Sequence, residues 1–188
     1  MAIKLIAIDM DGTLLNPQHE ITAGVKAAIG RARDKGVSIV LATGRPFVGV
    51  ERYLMELDLR QPGQYCISNN GALAHSADSA DSGEVVAEKT LGFDDYLYLE
   101  QLARDLGVHF QAFDKSFLYT PNKDISEYTI HEASLTGIPV RYRAVEEMDP
   151  ATRFSKLMMI DKPELLDKAI AALPARARDS YTILKSAP

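Results

Sequence analysis

Two aspartates one residue apart, Asp9 and Asp11, followed by Gly12 and Thr13, close an apolar run that begins at Ile3. Carboxylates spaced this way offer hard oxygen ligands to a cation, or a nucleophile beside an acid–base group. An unperturbed aspartate has a pKa of about 3.9, so Asp9 is ionised at neutral pH and able to attack an electrophile, with Asp11 as its acid–base partner. Gly12 lets the chain turn sharply off the run. Two plainer readings compete. One is a strand-ending turn in which the aspartates only bond the local backbone. The other is a calcium loop, since Asp9, Asp11 and Glu20 fall at its first, third and twelfth positions. Against it, Gly12 stands fourth rather than sixth, Leu14 takes the sixth place, and a strand pattern precedes where a helix is needed.

Thr43-Gly44-Arg45 follows a second apolar run, Val37 to Ala42, and leads into Pro46. A hydroxyl, a backbone amide freed by glycine and a helix N-terminus together suit a phosphate. Arg45 can add charge-assisted bonds to its oxygens. Asn70 ends a third run, Tyr65 to Ser68, within Asn69-Asn70-Gly71. Asn-Gly is first a turn signal, but a position at the end of a parallel strand also brings Asn70 within reach of a substrate oxygen.

The elements needed to bring these groups together are legible. Ile3 to Asp9 reads as a buried strand, and Thr22 to Lys35 as a helix with Thr22 as N-cap and Gly36 just past its end. Val37 to Ala42 is the next strand, Pro46 to Leu57 a helix with proline in its first turn, and Tyr65 to Ser68 a third strand. Such alternation means right-handed βαβ units and a parallel sheet, whose carboxyl edge would carry Asp9, Thr43, Arg45 and Asn70 together.

Beyond residue 71 the rhythm changes. Ala72 to Ala74 and Glu84 to Thr90 read as a hairpin around a polar tip, His75 to Gly83. Helices follow at Phe93 to Leu106, Ile125 to Leu135 and Pro163 to Leu173. Strands are expected at Val108 to Phe113, Phe117 to Thr120, Val140 to Ala144, Lys156 to Ile160 and Tyr181 to Lys185. Strand now neighbours strand, as in a separate α+β unit, with the boundary expected near residues 82 to 84. The predicted domains are therefore 1–83 and 84–188. Three parallel strands are few for a doubly wound sheet and leave an open edge, which suggests a chain ending mid-domain and a possible homo-oligomer formed through that edge.

Composition narrows the class. The chain has 188 residues, is 46% hydrophobic, and carries a net charge of −5. It can bury one full core or two small ones, and nothing basic argues for nucleic acid or an anionic membrane surface. The apolar stretches are too short for a transmembrane span. Cys66 is the single cysteine, so no internal disulfide forms, as fits a reducing, cytoplasmic compartment. Cys66 itself reads as core. His19, His75, His109 and His131 show no metal spacing and are expected at surface or edge positions. Asp78 and Asp81 read as solvated loop residues, and Phe110, Phe113, Phe117 and Tyr119 as the core of the second unit.

Taken together, Asp9-Met10-Asp11-Gly12-Thr13-Leu14-Leu15, Thr43-Gly44-Arg45 and Asn70-Gly71-Ala72 resemble the motifs of the haloacid dehalogenase superfamily, in its Cof-type branch of capped phosphatases. Tyr65-Cys66-Ile67, Asn122 to Ser126, Lys156 to Asp161 and Leu184 to Pro188 extend the likeness to the sugar phosphatases of that branch. The resemblance implies an α/β fold: a partial Rossmann-like core with a parallel sheet, plus an α+β cap of the C2 type. It implies hydrolysis of phosphate monoesters, sugar phosphates above all, with Asp9 as nucleophile and Asp11 as general acid and base. Mg²⁺ would be held by the Asp9 carboxylate and the Asp11 backbone carbonyl. Met10, Gly12, Thr43, Gly44, Arg45 and Asn70 would surround the phosphate.

Family members also carry, after the cap, a phosphate-binding lysine and a Gly-Asp-x-x-Asn-Asp stretch that completes the metal site. This chain contains neither a Gly-Asp nor an Asn-Asp dipeptide. Lys156 and Lys185 fall within expected cap strands, not at that lysine's place. The 188 residues are thus expected to be truncated and weakly active or inactive alone. The alternative is a non-catalytic fragment that binds a phosphorylated ligand or self-associates.

Overall fold

A computed structural model of the chain describes residues 3–78 and 84–185. Its chain divides into two compact units between Lys89 and Thr90. The first holds strands β1 (Leu5–Ile8), β2 (Ser38–Ala42), β3 (Tyr65–Ser68), β4 (Leu73–Ser76) and β5 (Val85–Glu88), with helices α1 (Ala23–Asp34) and α2 (Glu51–Glu56). The strands form one sheet in the order β1-β2-β3-β4-β5. β1, β2 and β3 run parallel, with Leu5 opposite Ser38 and Leu41 opposite Cys66. β4 and β5 then turn antiparallel and extend the same sheet. The expected hairpin is therefore part of the core sheet, and residues 79–83 of its tip lie outside the described residues.

Local chemistry accounts for most of these elements. Thr22 caps α1 by accepting from the Val25 amide at 3.4 Å, and α1 gives way to β2 through Lys35 and Gly36. The long helix expected from Pro46 is broken in two. Phe47–Gly49 forms a tight 3-10 turn, and the α-helix starts only at Glu51. Two β-branched valines flanking Gly49 are poor helix formers, so the turn closes through shorter bonds: Gly49 to Pro46 at 2.9 Å and Val50 to Phe47 at 2.8 Å.

β1 also departs from expectation. It is an edge strand of the sheet, and Ile3, Leu5 and Ile6 are exposed rather than buried. The apolar run forms the strand through its pairing with β2, while the core of this unit is built by Met10, Leu14, Leu15, Ile39, Leu41, Phe47, Val50, Tyr53, Leu54 and Cys66. His75, expected at the surface, is buried between Phe47, whose ring centre lies 4.5 Å away, and Ser68, whose hydroxyl is hydrogen-bonded to His75 Nε2 at 2.8 Å.

The second unit contains α3 (Phe93–Asp105), β6 (His109–Phe113), β7 (Leu118–Thr120), α4 (Glu127–Thr136), β8 (Val140–Tyr142), β9 (Lys156–Ile160), α5 (Pro163–Ala172) and α6 (Ala175–Ser180). Its sheet runs β8-β7-β6-β9, antiparallel except for the β7–β8 pair. Phe110 and Phe113 are fully buried, whereas Phe117 and Tyr119 are half-buried. The final strand expected at Tyr181 to Lys185 does not form. Instead α6, opened by Pro174, precedes a segment that belongs to no strand among the described residues, and Arg178 ties the end of α5 to α6 by donating to the Ile170 carbonyl at 2.6 Å. Tyr181 donates to Asp95 at 2.8 Å and Lys185 pairs with Asp167 at 2.8 Å, so side chains hold the segment where a ladder was expected. Lys185 accordingly lies in no strand. No helix among the described residues is long and apolar enough to cross a membrane.

Candidate active site

β1, β2 and β3 end within one residue of Asp9, Thr43 and Asn69, and because they run parallel, all three ends share one edge of the sheet. Asp9 leaves β1 exposed, and its carboxylate accepts a single hydrogen bond among the described residues, from the Thr13 hydroxyl at 3.2 Å. The turn that follows is tightly tied: Leu14 donates to the Asp9 carbonyl at 3.1 Å, and Leu15 and Thr13 to the Met10 carbonyl at 2.9 and 3.3 Å. Among the described residues no backbone amide donates to the Asp11 carbonyl. Gly12 makes the turn possible with φ +75°, a left-handed conformation costly for other residues. The Met10 side chain is fully buried in the core, so only its backbone can face a ligand.

Asp11 is gripped by Arg45. Nε donates to one carboxylate oxygen at 2.8 Å and Nη2 to the other at 2.6 Å, a two-pronged match of planar fork to carboxylate. The Arg45 guanidinium holds the Asp11 carboxyl below its ordinary value, and the same pair raises the pKa of Arg45. Arg45 is 4% exposed, and Asp11 is half exposed. His19, which sequence reasoning set aside, belongs to this cluster: its Nδ1 lies 3.3 Å from Arg45 Nη2 and 3.5 Å from Asp11. A histidine in the loop eight residues beyond Asp11 was the available signal. Tyr53 lies beneath, with the Arg45 guanidinium carbon 5.8 Å from its ring centre.

The Thr43 loop is stitched to the Asn70 turn. Thr43 Oγ1 accepts from the Arg45 amide at 3.2 Å. Asn69 donates to the Arg45 carbonyl at 2.9 Å, and Asn70 to the Thr43 carbonyl at 3.1 Å. The Asn70 side chain lies directly against Gly44. Cys66 is buried at the middle of the sheet, its thiol pushed up to about 12 by burial, so it is no nucleophile. His109 pairs with Asp161 in the second unit at 2.6 Å, and His131 is exposed on α4. Asp78 is exposed, and Asp81 lies outside the described residues. Among the described residues no group of three or more histidines, cysteines, aspartates or glutamates could hold a metal ion.

The family described as haloacid dehalogenase-like hydrolase matches residues 6–188. The chain belongs to that family. This haloacid dehalogenase-like chain is 48% identical over 185 residues to Putative phosphatase YxeH of Bacillus subtilis, covering 98% of this chain and 67% of that protein. It is 45% identical over 188 residues to Putative phosphatase M6_Spy0533 of Streptococcus pyogenes, covering 100% of this chain and 68% of that protein. Among solved structures, a haloacid dehalogenase-like hydrolase from Bacteroides thetaiotaomicron superposes with a TM-score of 0.81 at 24% identity, over 99% of this chain and 68% of that one. The fold is thus the mixed α/β fold of haloacid dehalogenase-like hydrolases, and the chain is a hydrolase spanning about two thirds of the length of these relatives.

Proposed function

We propose that the chain hydrolyses small phosphate monoesters, sugar phosphates among them, through an aspartyl phosphate on Asp9. The observation that carries this reading is the contrast between two neighbouring carboxylates. Asp9 is open and lightly bonded, as a nucleophile must be, whereas Asp11 is aimed and charge-balanced by Arg45. The names carried by the two relatives support the reaction class.

In the first step an Asp9 carboxylate oxygen attacks phosphorus, the ester P–O bond breaks, and the leaving alkoxide takes a proton from the Asp11 carboxyl. In the second, water attacks the same phosphorus, Asp11 accepts its proton, and the bond to Asp9 breaks to free inorganic phosphate. Asp11 can hold a proton only when Arg45 loosens its grip. Phosphoryl oxygens compete for that guanidinium, and Asp11 then returns toward an ordinary carboxyl. The Thr43 hydroxyl and the Gly44 amide would bind the remaining phosphoryl oxygens, with Asn70 at their side.

The residues present suit Mg²⁺ as part of an oxygen site: the exposed Asp9 carboxylate and the Asp11 carbonyl, which no backbone amide among the described residues occupies. When bound, the ion would neutralise charge on the phosphoryl group facing Asp9. A cytoplasmic location fits the single buried cysteine. The exposed β1 edge, with Ile3, Leu5 and Ile6, favours a second reading in which the chain also self-associates. Sedimentation at rising concentration would detect that, and a monomer throughout would remove it.

The mechanism is tested with Asp11→Asn and para-nitrophenyl phosphate, whose leaving group needs no proton. That variant should accumulate phosphate on Asp9, which borohydride reduces to homoserine at position 9 in the digested peptide. Phosphate release that is undiminished in Asp9→Asn would overturn the assignment.

A further inference from the structure

We propose that a cleft in the second unit, beside the C-terminal end of α3, binds a small zwitterion of the aliphatic α-amino acid type. The cleft holds about 350 Å³, at the small end of the range for ligand sites. α3 contributes Glu100 and Arg104, the segment after β7 contributes Asn122 and Lys123, and the turn Val145–Glu147 contributes Glu146. All of these residues belong to the second unit, so the site stands independently of the phosphatase reading.

Glu100 is an anomaly of the helix. It shares the buried stripe of α3 with Tyr96 and Ala103 and is 6% exposed. Both of its oxygens rest on one nitrogen, Arg104 Nη2, at 2.8 and 2.7 Å. A buried carboxylate is costly unless it is well paired, and this pair uses a single nitrogen of a largely exposed guanidinium. Asp105 and Glu146 act on the same guanidinium at longer range. Three carboxylates thus face one arginine, and this side of the cleft keeps a surplus of negative charge. One turn before Glu100, the fully buried Tyr96 ends in a hydroxyl with no hydrogen-bond partner among the described residues. Burial pushes that hydroxyl up to about 12, and the charges acting on it are those of Glu100, Arg104 and Glu146, which all line the cleft. Its unspent capacity adds to that of Glu100.

Asn122 and Lys123 supply the opposite polarity. Asn122 Oδ1 accepts from the Phe110 amide at 2.8 Å, which commits that oxygen and leaves Nδ2 with no partner among the described residues. Lys123 is exposed and makes no ion pair among the described residues. Val108, Phe110 and Val145 complete the lining with apolar surface. A surplus of carboxylate in one part, amide and ammonium donors in another, and apolar groups between them complement a molecule that carries an ammonium, a carboxylate and a short aliphatic side chain. A simple anion or cation satisfies only one part of this lining. An uncharged polyol draws on neither charge, and charge-assisted bonds are the stronger ones.

The probes are L-leucine and L-valine, titrated into the ¹⁵N-labelled chain. One or both should shift the Asn122 side-chain amide and the Glu146 backbone amide saturably. Isocaproate, which lacks the ammonium, isopentylamine, which lacks the carboxylate, and glucose should each bind at least about ten-fold more weakly, because each forfeits a bond between charged groups. Glu100→Gln keeps the shape and removes the charge, and should weaken binding of the amino acid about ten-fold. Lys123→Ala, at an exposed position, should weaken it several-fold with Tm unchanged. Saturable shifts with neither amino acid, shifts confined to residues outside the cleft, or equally tight binding of isocaproate, isopentylamine or glucose would overturn the proposal. So would unchanged amino acid affinity in folded Lys123→Ala.

Discussion

Asn70 lies so close to Gly44 that a Cβ on Gly44 would stand 3.1 Å from Asn70 Oδ1 and 3.2 Å from its Nδ2. Two strand ends, those of β2 and β3, are thus locked edge to edge at the point where the phosphate is proposed to bind. Gly44→Ala should displace the Asn70 amide rather than unfold the chain, because the obstructing atoms are the end of a movable side chain. The expected stability cost is about 1 kcal/mol, well below that of overpacking a closed core. KM for a phosphate ester should rise several-fold. Thermal unfolding and steady-state kinetics on one preparation would check both halves.

Gly12 presents the opposite case. A Cβ there would meet nothing within 4 Å, yet φ is +75°. Gly12→Ala should therefore cost about 1–2 kcal/mol through backbone strain alone, with no clash. The more telling readout is activity, since the strain falls between Asp11 and Thr13, and Thr13 is the bonding partner of Asp9. A variant that loses stability but keeps full turnover would show that the turn is only structural.

The Arg45–Asp11 pair makes a signed prediction about pH. The hydrogen bonds from Arg45 lower the Asp11 pKa in the folded chain. A depressed carboxyl contributes stability above its unfolded pKa, about 3.9, and that contribution is lost as pH falls through the lower folded value. Asp11→Asn should thus lose less stability than the unmodified chain below about pH 4. The difference should be small, because Asp11 is 45% exposed and solvent screens the pair. Acid titration followed by circular dichroism would measure it.

Cys66 is buried in β3, with its thiol pushed up to about 12. Iodoacetamide at neutral pH should leave it unmodified in the folded chain and alkylate it fully in urea, as mass spectrometry would read. Rapid labelling without denaturant would mean that the sheet opens around it.

The parallel half of the fold was legible because β-branched runs, capping threonine and punctuating glycines all agree there. Asp9, Thr43 and Asn70 could be placed from the same pattern, since in a parallel sheet the strand ends must share an edge. Three features were not legible. The exposure of Leu5 and Ile6 depends on which strand lies outermost, and apolar runs look alike at the centre and the edge of a sheet. The break at Gly49 turns on weak local preferences. The segment from Tyr181 to Lys185 has strand composition, but Asp95 and Asp167 bind two of its side chains, contacts far apart in sequence that no local pattern encodes. His19 was missed for the same reason: its meaning lies in Arg45, 26 residues away.

The central claim is that Asp9 is the nucleophile of a metal-assisted phosphatase site. The most direct measurement is phosphate release from para-nitrophenyl phosphate by the purified chain, with and without Mg²⁺, beside Asp9→Asn. The account predicts turnover that requires Mg²⁺ and vanishes in Asp9→Asn while circular dichroism shows the fold intact. Absence of turnover from the folded chain with Mg²⁺, or turnover that survives in Asp9→Asn, would contradict it.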